Sequence, residues 1–210
     1  MRVLRLIACV LVSPSLAWSQ GLAWDIPQRG AITYQRKSET WQVSGPPSRM
    51  RVDWVIADAD HGGAEWRYLA STQGKQPAGF ETPGFDDSAW PIGTSEFGDQ
   101  VGTLGRDRTV WKTNLLCLRR KVDLGQRKPR AIVLRIDHDD GVKVWCNGTL
   151  VLENQGYGRG HNYILTGPQL AAFTPGENTV AVQCVQIGGA QYCDVAIGCI
   201  ATLQIGRAHV

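Results

Sequence analysis

The sequence predicts an all-β protein built as an antiparallel β-sandwich, and three observations carry that prediction. Short runs rich in β-branched and aromatic residues recur along the chain, each bounded by Gly, Pro, Asn or Asp. Several alternate apolar and polar residues with period two, as Gly141-Val142-Lys143-Val144-Trp145-Cys146 does. No amphipathic helical pattern separates the runs, and 24 Gly, 10 Pro and 8 Trp in 210 residues suit many turns around an aromatic-rich core.

The first element is a targeting segment. Arg2 and Arg5 precede an apolar run over residues 6–12 and then Ser15-Leu16-Ala17, a small-x-small cleavage pattern. Residues 1–17 therefore read as a secretory signal peptide, with an apolar part too short to span a bilayer. Leu6-Ile7-Ala8-Cys9 also resembles a lipoprotein box. Almost no apolar run precedes that Cys, so plain secretion to an extracellular or periplasmic location ranks ahead. Without this segment 20 basic residues face 19 acidic ones, and five cysteines remain in an oxidising compartment. There is no basic stripe, so neither nucleic acid nor an anionic membrane is expected as a partner. The odd cysteine count leaves at least one thiol unpaired within the chain.

Residues 18–62 form an N-terminal extension with short strands expected at 31–34, 41–43 and 51–56. The main sandwich is assigned to 63–204. Its strands are expected at 66–70, 109–122, 131–137, 141–146, 150–152, 178–187 and 191–202, with long loops over 77–90 and 93–108. Phe85-Asp86-Asp87-Ser88-Ala89-Trp90 reads as a turn, because Asp and Ser side chains bond nearby backbone N–H groups while the two rings pin it. The alternative for Asp86 and Asp87 is calcium ligation, although two adjacent acids are few ligands for that ion. No other cofactor is expected.

Residues 135–152, RIDHDDGVKVWCNGTLVL, place Asp137, His138, Asp139 and Asp140 in an alternating segment. Asp140-Gly141 and Asn147-Gly148 are hairpin signals, so the segment reads as turn, strand, turn, strand. Adjacent side chains on an extended chain point to opposite faces, so Asp139 and Asp140 do not converge as a glycosidase acid and base. Turn formation ranks first for these acids, contact with a sugar or calcium second, and catalysis third. Asn147-Gly148-Thr149 is a glycosylation sequon in a position where a tight hairpin leaves little room for a glycan.

The most site-like segment is 156–163, GYGRGHNY, expected as an exposed Gly-rich loop. Tyr157 offers an aromatic face for the C–H surface of a sugar. Arg159, His161 and Asn162 offer planar polar groups for its hydroxyls. An ordinary loop with tucked aromatic rings is the competing interpretation. His61, His138, His161 and His209 show no metal-ligand spacing, and the chain carries no nucleophile elbow, Walker loop or paired-Cys knuckle. If Gly188-Gly189 is a two-residue hairpin loop, Cys184 faces Cys193 at the short end of disulfide spacing. A wider loop leaves two separate thiols and is preferred. Cys117, Cys146 and Cys199 lie in apolar strands and are expected to pack as small hydrophobes.

Six motifs in order carry a family resemblance: WRYL, FDDSAWPIG, TVWKTNLLCLRRKVDL, AIVLRIDHDDGVKVWCNGTLV, LAAFTPGENTVAVQC and GGAQYCDVAI. Together, over about residues 63–203, they resemble the galactose-binding-like jelly roll. That domain occurs in relatives of β-galactosidase and β-glucuronidase and as an accessory module of secreted bacterial polysaccharide-processing proteins. The resemblance implies a jelly-roll sandwich that binds carbohydrate without catalysis, alongside further domains of a parent chain. Its ligand residues would be Tyr157, Arg159, His161 and Asn162, with Asp139, Asp140 and Trp111 as neighbours. A narrower similarity of Asp-Asp-Gly plus hairpin is to PA14-type lectin domains, whose acids hold calcium and sugar together. Two alternatives stay open: the front part of a glycoside hydrolase whose catalytic domain follows, and a structural or protein-interaction sandwich without a ligand. The last six residues, IGRAHV (205–210), match one reading frame of a common sequencing-adapter oligonucleotide and are expected to be an artefactual tail.

Overall fold

A computed structural model describes residues 23–27, 32–35, 40–43, 47–100 and 108–202, with side chains over 52–100 and 108–200. The signal-peptide segment and the 205–210 tail lie outside the described residues. The chain divides into two compact units, residues 1–52 with 201–210, and residues 53–200. In the first unit, β1 (Ala23–Pro27), β2 (Ile32–Gln35), β3 (Thr40–Val43) and the start of β4 (Pro47–Ile56) make two antiparallel pairs. Ala23 lies opposite Arg51 in the first pair and Ile32 opposite Val43 in the second.

The second unit begins with the last residues of β4, ten residues ahead of the Gly63 boundary expected from the sequence. It continues through β5 (Glu65–Ser71), β6 (Ile92–Thr94), β7 (Phe97–Gly98), β8 (Thr109–Val110), β9 (Leu115–Asp123), β10 (Ala131–Asp139) and β11 (Gly141–Cys146). Then follow β12 (Thr149–Asn154), β13 (Gly158–Leu165), the short helix α1 (Gly167–Ala171), β14 (Glu177–Val185) and β15 (Tyr192–Thr202). One sheet runs β12-β11-β14-β9-β5-β6 with its strands antiparallel. The other places β4, β15, β10 and β13 side by side, with β7 against the start of β15. Only the two-residue β7–β8 pairing is parallel among the described strand pairs. The unit is an all-β antiparallel sandwich, as the alternation predicts.

Period-two alternation decides which residues fill it. Ile132, Leu134, Ile136 and His138 of β10 face inward, as do Cys193, Val195, Ile197 and Cys199 of β15. Val142, Val144 and Cys146 of β11 meet them from the other sheet, with Val180, Val182 and Cys184 of β14. A second cluster covers the outside of the six-stranded sheet. There Phe80, Trp90 and Phe85, from the 77–90 loop, pack on Leu115, Cys117, Ala181 and Trp145. Phe85 and Trp90 meet edge-on with centroids 5.6 Å apart, as the pinned-turn reading of FDDSAW requires. Asp86 Oδ1 accepts the Ser88 N–H at 2.9 Å and closes that turn.

Three expectations change. The 109–122 strand is interrupted: β8 ends at Val110, Trp111 turns fully inward, and β9 starts at Leu115. The 156–163 loop is for the most part a strand, β13, at the edge of its sheet with Ile132 opposite Leu165. Its three glycines at 156, 158 and 160 had argued for a loop, yet β10 supplies a ladder that outweighs their low strand propensity. Finally, Asp139-Asp140-Gly141 and Gly188-Gly189 do not close hairpins. β10 and β15 belong to one sheet and β11 and β14 to the other, so both turns are corners between sheets. Only Asn147-Gly148, with φ of 50° and 82°, makes the expected tight hairpin, joining β11 to β12.

Candidate functional site

The corner at residues 139–141 organises the end of the sandwich that carries most of the sequence-predicted residues. Asp140 donates its N–H to Val185 O at 2.6 Å. Its carboxylate accepts the N–H of Ile187 at 2.6 Å and of Gly188 at 3.2 Å, so the acid of one corner holds the chain of the other. This confirms a structural use for Asp140, in a different turn from the one expected.

Asp139 lies on the outer face of β10, beyond Asp137 and Arg135. On the neighbouring strand Tyr192 is opposite Asp139, and Asp194 is opposite Asp137. Arg159, at the start of β13, closes over them. One of its nitrogens is 3.2 Å from Glu96 Oε1, another is 3.8 Å from Asp137 Oδ2, and its guanidinium lies 3.9 Å from the Tyr192 ring centroid. The second Asp137 oxygen accepts the Gly160 N–H. Below them Asp58 pairs with Arg135 at 3.3 Å and caps the single 3₁₀ turn Ala59–His61, whose Ala59 N–H donates to Asp194 at 2.7 Å. Five acids (Asp58, Glu96, Asp137, Asp139 and Asp194) are thus buried on the outside of a sheet, matched by Arg135 and Arg159.

Burial sets the proton affinities. It pushes Asp139 up to about 6, helped by the neighbouring Asp140 carboxylate and opposed by Arg159. Burial likewise lifts Asp194 to about 6, against the Ala59 N–H bond. Burial works against the charge of Arg159, yet Glu96 and Asp137 raise its affinity above the usual value. His138 is pushed down by burial. Its Nδ1 lies 2.6 Å from Asp140 O, a carbonyl that only accepts, so the neutral ring carries its proton on Nδ1.

Of the predicted ligand residues, Arg159 and Asp139 come together in this layer. Tyr157 stands free just ahead of β13, 75% exposed, with His161 and Asn162 exposed along the strand. Trp111 is withdrawn into the core and offers no surface to a ligand. Asp86 is exposed and accepts the Ser88 N–H, while Asp87 finds a setting opposite to a calcium site. Asp87 faces Arg119 at 2.8 Å and Arg67 at 3.5 Å, so two guanidinium groups already neutralise it. Among the described residues, no group of three or more His, Cys, Asp or Glu side chains is arranged to hold a metal. Cys184 and Cys193 are free thiols. They meet across the core from opposite sheets rather than along a hairpin, because Gly188-Gly189 turns a corner. At the sequon, Asn147 spends its side chain internally. Its carbonyl accepts Thr179 N–H at 2.9 Å, and its amide donates to Asn178 at 2.8 Å and Ala172 O at 3.0 Å.

Glu96, Tyr192 and Asp194 were missed by sequence reasoning. The one available signal was the repeat of polar residues two apart in Asp137-His138-Asp139 and Tyr192-Cys193-Asp194, which becomes meaningful once β10 and β15 are neighbours.

No family model matches this chain, and no curated protein does. Solved structures match its fold. A glycosyl hydrolase family 2 member from Bacteroides cellulosilyticus aligns with a TM-score of 0.51 and 16% identity over 67% of this chain and 20% of its own. A β-glucuronidase 2 from Bacteroides uniformis aligns at 0.51 and 17% identity over 71% of this chain and 18% of its own. A further Bacteroides uniformis β-glucuronidase aligns at 0.50 and 18% identity, again over 71% and 18%. This chain therefore spans about a fifth of the length of those enzymes. The likeness shows that this chain has a β-sandwich fold also present in part of those proteins.

Proposed function

We propose that the chain is a secreted, non-catalytic carbohydrate-binding module of a larger glycan-processing protein, and that it engages sugar along β13. The observation that carries this is the composition of one exposed edge. Tyr157 presents a free aromatic face, while Arg159, tied by two acids, keeps a side chain 43% exposed, with His161 and Asn162 further along. A ring that stacks on C–H groups beside fixed planar donors is the usual chemistry of sugar recognition, and the ion pairs fix Arg159 before a ligand arrives. Secretion rests on the order of basic, apolar and small residues in 1–17, and the parent protein on the fold shared with part of family 2 enzymes.

The test is a glycan array probed with the mature chain, followed by Tyr157→Ala. A glycan bound by the wild type and lost at least tenfold in the variant supports the proposal; an array with no bound glycan refutes it. A protein-interaction sandwich is the second interpretation, favoured by Ile164, 61% exposed on the same edge strand. Capture of a defined catalytic domain that is lost on Ile164→Glu would favour it.

A further inference from the structure

Outside the charged layer, the six-stranded sheet carries a groove of ≈ 330 Å³ on the part of its outer face left open beside the 77–90 loop. Four primary amides line it: Gln73 and Gln76 from the loop after β5, Gln155 after β12, and Gln183 on β14. Val185 contributes apolar surface, with Gly141 at the start of β11 beside it. A Cβ at Gly141 would come within 3.2 Å of Gln155 Oε1, so the glycine leaves room for that amide. Of the described lining residues only Lys143 and Glu153 are charged, and they pair at 3.2 Å. Gln155 donates to the same carboxylate at 3.1 Å. Ile187 in the lining is 81% exposed and its backbone is held by Asp140, and Asn114 ties the neighbouring segments together by accepting Gln73 N–H at 2.7 Å and Gln186 N–H at 3.0 Å.

We infer that this groove is a second binding site, for one or two units of a neutral glycan. A primary amide is donor and acceptor in one plane, which suits a pair of adjacent hydroxyls, whereas a carboxylate or sulfate needs cations. The lysine in the groove is neutralised by Glu153, so an anionic sugar gains nothing there. Val185 and the exposed Ile187 suit the C–H face of a pyranose. The volume lies at the low end of the roughly 300–1,000 Å³ of small-molecule sites, which limits the occupant to a short unit. The site shares no residue with the edge of β13 and does not depend on it.

Calorimetry on the mature chain tests this, with neutral oligosaccharides of glucose, galactose, mannose and xylose, two to six units long, and matched uronic-acid oligosaccharides. A neutral member should bind. Measured in a Tyr157→Ala background, which silences the β13 edge, Gln155→Ala/Gln183→Ala should weaken the remaining neutral binding at least tenfold, Gln76→Ala, on an exposed loop, by a few-fold, and Lys128→Ala, exposed and outside the groove, should leave it unchanged. Near-UV circular dichroism confirms that each variant is folded. Binding lost in Tyr157→Ala but kept in the amide variants would overturn the groove and leave the β13 proposal standing. Preference for the uronic-acid series, or no binding of any neutral member at millimolar concentration, would also overturn it.

Discussion

Arg119 is where the sandwich is most exposed to a single substitution. It projects from the outer face of β9, yet is only 3% exposed, because the 77–90 loop closes over it. Its Nε donates to Asp87 at 2.8 Å. Its two terminal nitrogens donate to the carbonyls of Phe80, Thr82 at 3.1 Å and Phe85 at 3.3 Å. The guanidinium also lies 5.2 Å from the Phe85 ring centroid. Arg119→Met keeps most of the stem and removes every donor, leaving buried carbonyls unpaired and Asp87 short of its nearer partner. Removing one side of a buried ion pair costs about 3–5 kcal/mol, and these bonds share one group, so they are not summed. At roughly 2–4 °C per kcal/mol for a domain of this size, the melting temperature should fall by about 10–15 °C. Thermal unfolding followed by near-UV dichroism and tryptophan emission reads it, since Trp90 and Trp145 both sit in this cluster. Asp87→Asn should cost only about 1 kcal/mol, because that carboxylate is 26% exposed and screened. A loss below about 1 kcal/mol in Arg119→Met would refute the view that the guanidinium holds the loop.

Asp140→Ala should cost about 1–2 kcal/mol and raise amide exchange at Ile187 and Gly188, whose N–H groups it accepts; unchanged exchange would break the link between the two corners. The buried thiols at 117, 146, 184, 193 and 199 should resist an aromatic disulfide reagent in the folded mature chain and give five equivalents on denaturation; fewer would mean a bridge. Asp139 and Asp194 hold protons up to about 6 in the fold against 3.8 unfolded, so their contribution grows as pH falls from about 6 to about 4, by roughly 2–3 kcal/mol each. His138, depressed in the fold, opposes this by losing stability as pH falls below its unfolded value of 6.5. Urea unfolding of Asp194→Asn at pH 7 and 5 should show a pH gain smaller than the wild type's; an identical gain would sink the assignment.

The strands were legible because one face of each is buried, so period two is written into residues such as Val142, Val144 and Cys146. What joined them was not. Asp-Gly and Gly-Gly state that the chain turns, but the same residues serve a hairpin within one sheet and a corner between two. That ambiguity moved Cys184 and Cys193 from side by side to face to face. β13 was hidden for a related reason: its ladder is supplied by β10, with partners from His138–Gly158 to Ile132–Leu165 distant in sequence, while its own glycines speak locally for a loop. Of the site, the residues on the protruding edge were visible because Tyr157, Arg159 and Asn162 are unusual among glycines. Tyr192, Asp194 and Glu96 looked like ordinary polar members of strands and loops, and their meaning depends on which strands are adjacent.

Two carboxylates that titrate near 6 on adjacent strands invite comparison with a glycosidase pair. Asp139 and Asp194 are diagonal neighbours across β10 and β15, roughly 7–8 Å apart by sheet geometry, within the span of an inverting mechanism. Their surroundings argue for another use. Asp139 is 7% exposed and Asp194 2%, so a glycosidic oxygen has no approach to either. Asp194 spends one oxygen on Ala59 N–H, which fixes the 3₁₀ turn beneath it. Arg159, the group that would have to admit a substrate, is held by Glu96 and Asp137 and rests on Tyr192. A general acid must meet its leaving group within hydrogen-bond reach, and geometry takes precedence over proton affinity in assigning one. The raised values at this pair are therefore better explained as the electrostatic cost of burying acids that hold β10, β15 and the 58–61 turn together.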